Sequence, residues 1–296
     1  MMYIPGYSHG IVLCLLLPSL AAAQISVTDD LGRGVTLPAP ARRIVSLAPS
    51  ITESLFAIGA SDQIIGVTDY CSYPPAAQEK AHVGGMINPS IESIIALQPT
   101  LIILSMEGNL REDFDRLQTL QVPIVVSNPR TLEGIYRSLQ QLGELTGHEA
   151  EAGGLVRELR AREDSIRSRV HGANVRTLMI VSLHPLITVG GRTFLNELLQ
   201  TAGGENLASG LSSTYPTYSR EALTAQDPDV ILVMSDVIRD VGDLVRYFPE
   251  WRNLTATKRH HIFRINADIV SRPGPRAIEG LEELYRVLHT EPGTQE

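Results

Sequence analysis

The sequence predicts an α/β protein of two similar three-layer lobes with parallel sheets, joined by one long interdomain helix, with a ligand cleft between the lobes. The first observation is an internal repeat. The segment Val45–Pro49 recurs in the second half of the chain as Val181–Pro185, and Ser90–Glu92 recurs there as Ser219–Glu221. A proline and an apolar run follow each Ser-x-Glu in the same order. A spacing of nearly half the chain far exceeds the period of solenoids, so it indicates two related lobes.

The second observation is the type of strand that the apolar runs predict. Continuous runs rich in Val and Ile occur at 44–48, 64–67, 101–104, 124–127, 177–182 and 230–233. Runs of this kind, alternating with helical segments, are typical of parallel sheets that are covered on both faces. After the first run, Ser50–Glu53 has the pattern of a capping box and predicts the start of a helix, which Gly59 ends.

The third observation is a helical segment between the two halves. Residues Glu149 to Val170 carry apolar or small side chains on a single face, and the remaining positions are mostly Glu and Arg. A helix of ~20 residues is ~30 Å long, enough to brace both lobes. The predicted organisation is therefore a first lobe at 24–130, a connecting segment at 131–171, a second lobe at 172–290 and a tail at 291–296.

The segment 1–23 is predicted to be a signal peptide. The apolar run Ile11–Leu20 is too short to span a bilayer, and the small residues Ala21–Ala23 follow it. We expect cleavage after Ala23 and a periplasmic location. Cys14 would be removed with this segment, so the mature chain would keep Cys71 alone and form no intrachain disulfide.

Composition excludes one class of partner. The net charge is −8 and aromatic residues make up 5% of the chain. A protein that binds nucleic acid needs a basic surface or a platform of aromatic side chains, and this sequence predicts neither.

The loops that follow the predicted strands should line the cleft, because ligands of open α/β sheets bind at the carboxyl ends of the strands. Four tyrosines cluster in or beside these loops: Tyr70, Tyr73, Tyr215 and Tyr218. Their flat apolar rings with polar tips suit a large flat ligand. Packing of each ring on its own lobe is the alternative.

Three segments carry a resemblance to a known family. RRIVSLAPSITESLFAIGASDQIIGVTDYCSYPP, GGMINPSIESIIALQPTLIILS and PTYSREALTAQDPDVILV resemble the substrate-binding proteins of cobalamin ABC importers. These belong to a wider group that also serves iron–siderophores and haem. The resemblance runs from about Arg42 to about Leu288, and it implies the two-lobed fold, a corrinoid as the transported ligand, no cofactor and no catalytic or metal site.

The resemblance also implies roles for individual residues. Glu92 and Glu221, one on each lobe, would dock against arginines of an ABC permease in the inner membrane. The ligand-binding candidates are Tyr70, Cys71, Met86, His184, Tyr215, Asp268 and Arg272. Tyr215 stands where the family has a tryptophan. We expect a monomer that partners with the permease and its ATPase.

Alternatives remain. Haem could be ligated by Tyr70, His184 or Met86, and a siderophore would need Arg130 or Arg192 beside Arg272. The histidines lack the spacing of a metal-ion site. An enzyme could pair Cys71 with His184, but neither a Gly-x-Ser-x-Gly elbow nor a phosphate-binding loop is present.

Overall fold

The computed structural model describes residues 24–106, 109, 111–170, 172 and 174–289. The predicted signal peptide at 1–23 and the predicted tail at 291–296 lie outside the described residues. Within the described ranges, no helix is long and apolar enough to cross a bilayer.

The first lobe contains a five-stranded sheet in which every pairing is parallel. An antiparallel hairpin of β1 (Ile25–Thr28) and β2 (Gly34–Leu37) precedes it. The lobe then runs through β3 (Ile44–Ser46), α1 (Pro49–Ala57), β4 (Ile64–Val67), β5 (Ala81–His82), α2 (Ile91–Ala96), β6 (Leu101–Leu104), α3 (Arg111–Gln118) and β7 (Ile124–Val126). The strand order is β5-β4-β3-β6-β7.

The second lobe contains four parallel strands in the order β10-β8-β11-β12, with β9 antiparallel to β8. It runs through β8 (Val175–Leu183), β9 (Leu186–Thr188), α6 (Phe194–Thr201), β10 (Gly204–Asn206), α7 (Arg220–Gln226), β11 (Val230–Met234), α8 (Leu244–Tyr247), α9 (Thr255–Lys258), β12 (Ile262–Ile265), α10 (Ala267–Val270) and α11 (Ala277–Leu288). Short 3₁₀ turns occur at Ser61–Gln63, Pro75–Glu79, Val241–Asp243 and Pro249–Asn253.

Two helices connect the lobes, α4 (Leu132–Thr146) and α5 (Glu149–Arg167). The predicted α/β fold of two lobes with parallel sheets and a long connecting helix is confirmed. The long helix α5 ends at Arg167, slightly before the predicted Val170.

The connecting helices join the lobes through one hydrophobic core. Leu55 of α1, Leu139 of α4, Leu159 of α5 and Leu281 of α11 are all buried in the same cluster. Helices α4 and α5 pack closely at Gly143, where an added Cβ would lie 2.7 Å from the Cβ of Ala152.

Ion pairs link α5 to its neighbour α4 and to α11 of the second lobe. Arg160 pairs with Glu133 of α4 at 2.6 Å, and Arg162 pairs with Glu282 of α11 at 2.8 Å. These contacts, together with the shared core, make α5 a brace between the lobes.

The first pair of repeated segments is followed by different structures in the two lobes. Val45–Pro49 passes directly from β3 into α1, whereas Val181–Pro185 turns back into the antiparallel strand β9. Because β8 has nine residues, its last residues extend far enough to pair with β9.

The predicted capping box at Ser50–Glu53 is wrong. Helix α1 begins at Pro49 with Ala48 as its N-cap, and no side chain caps it. Proline at the first helical position is preorganised for a helix start, which moves the start ahead of Ser50. Glu53 is therefore free of a capping role and has other partners.

A buried hydrogen bond between the connecting helices gives a first prediction. The Tyr136 hydroxyl donates to Glu163 at 2.7 Å, and Arg167 donates to the other oxygen of the same carboxylate. Burial and this bond raise the pKa of the Tyr136 phenol. Tyr136→Phe should lower the free energy of unfolding by about 1–3 kcal/mol, because a buried carboxylate oxygen loses its donor.

Thermal or urea unfolding measures this loss. The control is Tyr247→Phe, which removes a hydroxyl from a side chain that is 54% exposed. Equal small effects in the two variants would contradict a stabilising role for the Tyr136 bond.

Candidate functional site

The candidate site is built from the loops at the carboxyl ends of the parallel strands in each of the two sheets. Ligands of open α/β sheets bind at these ends of the strands. Large apolar side chains are exposed in the segments beside them on both lobes. Those of the first lobe are Tyr70, Tyr73, Ile87 and Met106, and those of the second are Leu211, Tyr215 and Tyr247.

Tyr70 lies in the loop directly after β4 and is 60% exposed. Its ring lies over the neighbouring loop, since its Cε2 atom is 3.8 Å from the position that a Cβ on Gly85 would take. That separation is an ordinary van der Waals distance, so the tyrosine ring lies against this loop. The structure thus brings Tyr70 beside the loop that contains Met86.

Met86 itself is only partly exposed and packs against the main core, whereas the next residue, Ile87, is 63% exposed. The buried Asn109 fixes this loop. Its side-chain amide donates to the carbonyls of Met86 at 2.7 Å and Leu47 at 3.2 Å, and its oxygen accepts from the backbone N–H of Ser105 at 2.9 Å. Sequence reasoning missed Ile87 and Asn109, because neither has a pattern that distinguishes it from ordinary loop residues.

Cys71 does not share the exposure of Tyr70. Its side chain is 1% exposed and belongs to the main hydrophobic core. The Thr52 hydroxyl donates to its sulfur at 3.1 Å, and the Thr68 hydroxyl lies 3.3 Å from it. The structure therefore places Cys71 behind the cleft surface, where a large ligand does not reach it.

Tyr215 is 45% exposed and lies in a loop held against the second lobe. The backbone N–H of Gly190 donates to the carbonyl of Thr214 at 2.8 Å, and that of Thr188 donates to the carbonyl of Pro216 at 3.0 Å. An added Cβ on Gly190 would lie 2.1 Å from the carbonyl oxygen of Ser213. Glycine at this position is what allows the loop to come so close.

His184 is exposed at the end of β8 and lies among aromatic side chains. Its ring centroid is 5.9 Å from that of Tyr247 and 6.0 Å from that of Phe248. It lines two cavities, one of about 510 Å³ that also contacts Arg239 and one of about 450 Å³ that also contacts Glu221. Tyr247 lines both cavities and was missed by sequence reasoning.

Asp268 and Arg272 are brought together in the segment that follows β12. The Arg272 guanidinium donates to Asp268 at 2.5 Å and to Glu53 of the first lobe at 2.9 Å. Arg276 donates two further hydrogen bonds to the Glu53 carboxylate, at 2.8 and 2.7 Å. The bond to Glu53 raises the pKa of Arg276. We name these four residues the interlobe ion cluster.

Glu92 and Glu221 occupy equivalent places on the two lobes. Each is exposed in the first turn of a helix whose N-cap is a serine. The Ser90 hydroxyl accepts from the backbone of Ser93, and Ser219 accepts from that of Ala222. The backbone N–H of Glu221 and the Ser219 hydroxyl lower the pKa of the Glu221 carboxyl, which favours its charged form.

Metal binding by side chains alone has no support in the part of the chain that the structure describes. No group of three or more His, Cys, Asp or Glu side chains there could hold a metal ion.

Comparison with known proteins identifies the family. The model of the periplasmic binding protein family matches residues 44–269. The vitamin B12-binding protein of Vibrio parahaemolyticus is 29% identical over 274 residues, which cover 92% of this chain and 94% of that protein.

Solved structures have the same fold. The periplasmic vitamin B12 binding protein of Vibrio cholerae aligns with a TM-score of 0.77 at 28% identity, covering 84% of this chain and 97% of that chain. The periplasmic heme-binding protein of Roseiflexus sp. RS-1 aligns with a TM-score of 0.75 at 24% identity over 84% of this chain and 98% of that chain, a likeness of fold alone. Because the family match spans most of the chain, this chain belongs to the periplasmic binding protein family.

Proposed function

We propose that this protein is the substrate-binding component of an ABC importer, and that its cleft captures cobalamin or a related corrinoid. The observation that carries the proposal is the set of exposed aromatic side chains at strand-end loops of both lobes, together with the Asp268–Arg272 pair in the segment that follows β12. A corrinoid has a broad apolar ring and a rim of amide groups, so it suits both features. The names of the relatives in Vibrio support this ligand class.

The proposed contacts follow from the chemistry of each side chain. Tyr70 and Tyr215 stack on the ring from opposite lobes. Asp268 accepts hydrogen bonds from amide groups of the rim, and Arg272 donates to its carbonyls. Met86 and His184 contribute at the edges. The ligand is bound and released unchanged, with no catalytic group or cofactor taking part.

The proposed setting is the periplasm, after cleavage behind Ala23. The loaded monomer docks on a permease through Glu92 and Glu221, which are exposed at equivalent places on the two lobes. Arginines of the permease would form charge-assisted hydrogen bonds with these carboxylates. An identical pair of contacts also suits a permease with twofold symmetry.

Haem is the second candidate ligand, and the exposed ring of His184 favours it because imidazole ligates haem iron. A ferric siderophore has less support. The Arg192 guanidinium, one of those that a siderophore would need beside Arg272, already donates to the Ser212 carbonyl of the Tyr215 loop.

The visible absorption spectrum separates these candidates. The purified protein is incubated with cyanocobalamin or with haemin, passed through a desalting column, and its spectrum is recorded. We expect the corrinoid bands to elute with the protein. Elution of haemin alone with the protein would favour the second candidate.

The two stacking tyrosines give a further prediction. Tyr70→Ala and Tyr215→Ala should each weaken corrinoid binding by about 1–3 kcal/mol, as truncation of an aromatic anchor does at other interfaces. Leu31→Ala is the control, because this exposed side chain lies between β1 and β2, away from the strand-end loops. Titration calorimetry measures all three, and unchanged affinity in both tyrosine variants would contradict the assigned contacts.

A further inference from the structure

A buried carboxylate of the first lobe holds two arginines of the second. Glu53 lies on α1 and is only 3% exposed. Its oxygens accept three hydrogen bonds, one from Arg272 and two from Arg276, which lie near the opposite end of the chain. With Asp268, the interlobe ion cluster contains two negative and two positive charges, so the charges balance.

The surrounding contacts place Gly274 and Arg276, as well as Arg272, against the first lobe. The Arg276 guanidinium lies 4.0 Å above the ring of Tyr73. A Cβ on Gly274 would lie 3.2 Å from the carbonyl oxygen of Ser50, at the start of α1. These contacts hold the segment that carries Arg272 in a fixed position relative to α1 of the first lobe.

Arg276 and Arg272 form different hydrogen bonds with Glu53. Arg276 alone donates to both oxygens of Glu53, and this bidentate pairing is sufficient to neutralise the buried carboxylate. The hydrogen bond from Arg272 to Glu53 is therefore not needed to neutralise this carboxylate. It uses one amino group of Arg272, while the other donates to Asp268, whose side chain is 62% exposed.

We propose that Glu53 is a positioning residue for ligand recognition, because it holds Arg272 of the opposite lobe in the orientation that presents the Asp268–Arg272 pair to the ligand. This inference rests on the proposed function, since it assigns the ligand to that pair. The affinity of the second lobe for its ligand thereby depends on a residue of the first lobe that the ligand does not touch.

A double-mutant cycle tests the inference. Glu53→Gln keeps the shape of the side chain but removes its charge, and Arg272→Met removes the donors while keeping most of the length. We expect Glu53→Gln to weaken cobalamin binding about tenfold or more, as loss of a hydrogen bond to a charged group does. In the Arg272→Met background the same change should cost less than about threefold, because the effect passes through Arg272.

The control is Glu282→Gln, which removes a different ion pair of the connecting helix, that with Arg162, and should leave the affinity unchanged. If Glu53→Gln lowers the cobalamin affinity equally in the unaltered protein and in the Arg272→Met variant, Glu53 only braces the lobes. If it lowers the affinity in neither protein, Glu53 does not act on binding. Both results would overturn the inference. Circular dichroism monitors folding, and Glu53→Asp, which withdraws the carboxylate by one methylene, replaces Glu53→Gln in the cycle if that variant does not fold.

Failure of the proposed function would be seen in the unaltered protein, before any variant is measured. The unaltered protein is titrated first with cobalamin, cobinamide and haemin. Binding of haemin alone refutes the corrinoid proposal, and the cycle is then run with haemin. Binding of none of the three refutes the proposed function and the positioning role together.

Discussion

Gly190→Ala should abolish most of the ligand affinity while leaving the protein folded. The added methyl group would lie 2.1 Å from the carbonyl oxygen of Ser213, which is backbone and cannot rotate away. The loop must therefore move, and the hydrogen bond from Gly190 to Thr214 is lost with it. Because Tyr215 belongs to this loop, we expect at least about a tenfold loss of affinity, equivalent to ~1.4 kcal/mol.

A matched control lies in the same loop. Gly210 has no atom within 4 Å of its added Cβ, so Gly210→Ala should bind the ligand normally. We expect Gly190→Ala to lose about 1–3 kcal/mol of stability as well, as overpacking does elsewhere. Loss of stability with unchanged ligand affinity would show that the position of the Tyr215 loop does not matter for binding.

The double variant Glu92→Ala with Glu221→Ala should lose its complex with the permease and keep its ligand. Both carboxylates are exposed at helix starts, and replacing them leaves the serine caps intact. The binding free energy lost has a ceiling of about 2–5 kcal/mol for each buried charge pair and is smaller at an exposed rim. It should be larger at low salt, where surface charges are least screened.

A permease pull-down beside a ligand titration measures both properties for each single variant and for the double variant. The control is Glu144→Ala, which removes an exposed carboxylate of α4. Variants that lose the ligand but keep the permease would place these glutamates in the cleft and refute the docking role.

The order of residues in short segments predicted those strands and helices whose formation depends on neighbouring residues. Apolar runs rich in Val and Ile became parallel strands, because the burial of such a strand depends on a few neighbouring residues. The single apolar face of residues 149–170 likewise predicted the brace α5, which ends at Arg167.

Contacts between distant segments escaped prediction for the same reason. Glu53 has the spacing of a capping box, but its partners Arg272 and Arg276 lie near the other end of the chain and no local pattern encodes them. Cys71 is next to the exposed Tyr70 and yet is buried, because adjacent loop residues can point in opposite directions. Gly190 is needed only because the Ser213 carbonyl approaches it, and the chain order does not reveal that approach.

The most direct test of the central claim is isothermal titration of the mature protein with cyanocobalamin, with cobinamide and haemin titrated in parallel. A cleft between two lobes predicts one corrinoid per chain, and replacement of Tyr70 or Tyr215 should weaken that single binding event. Saturation by haemin, with no heat from either corrinoid, would contradict the account.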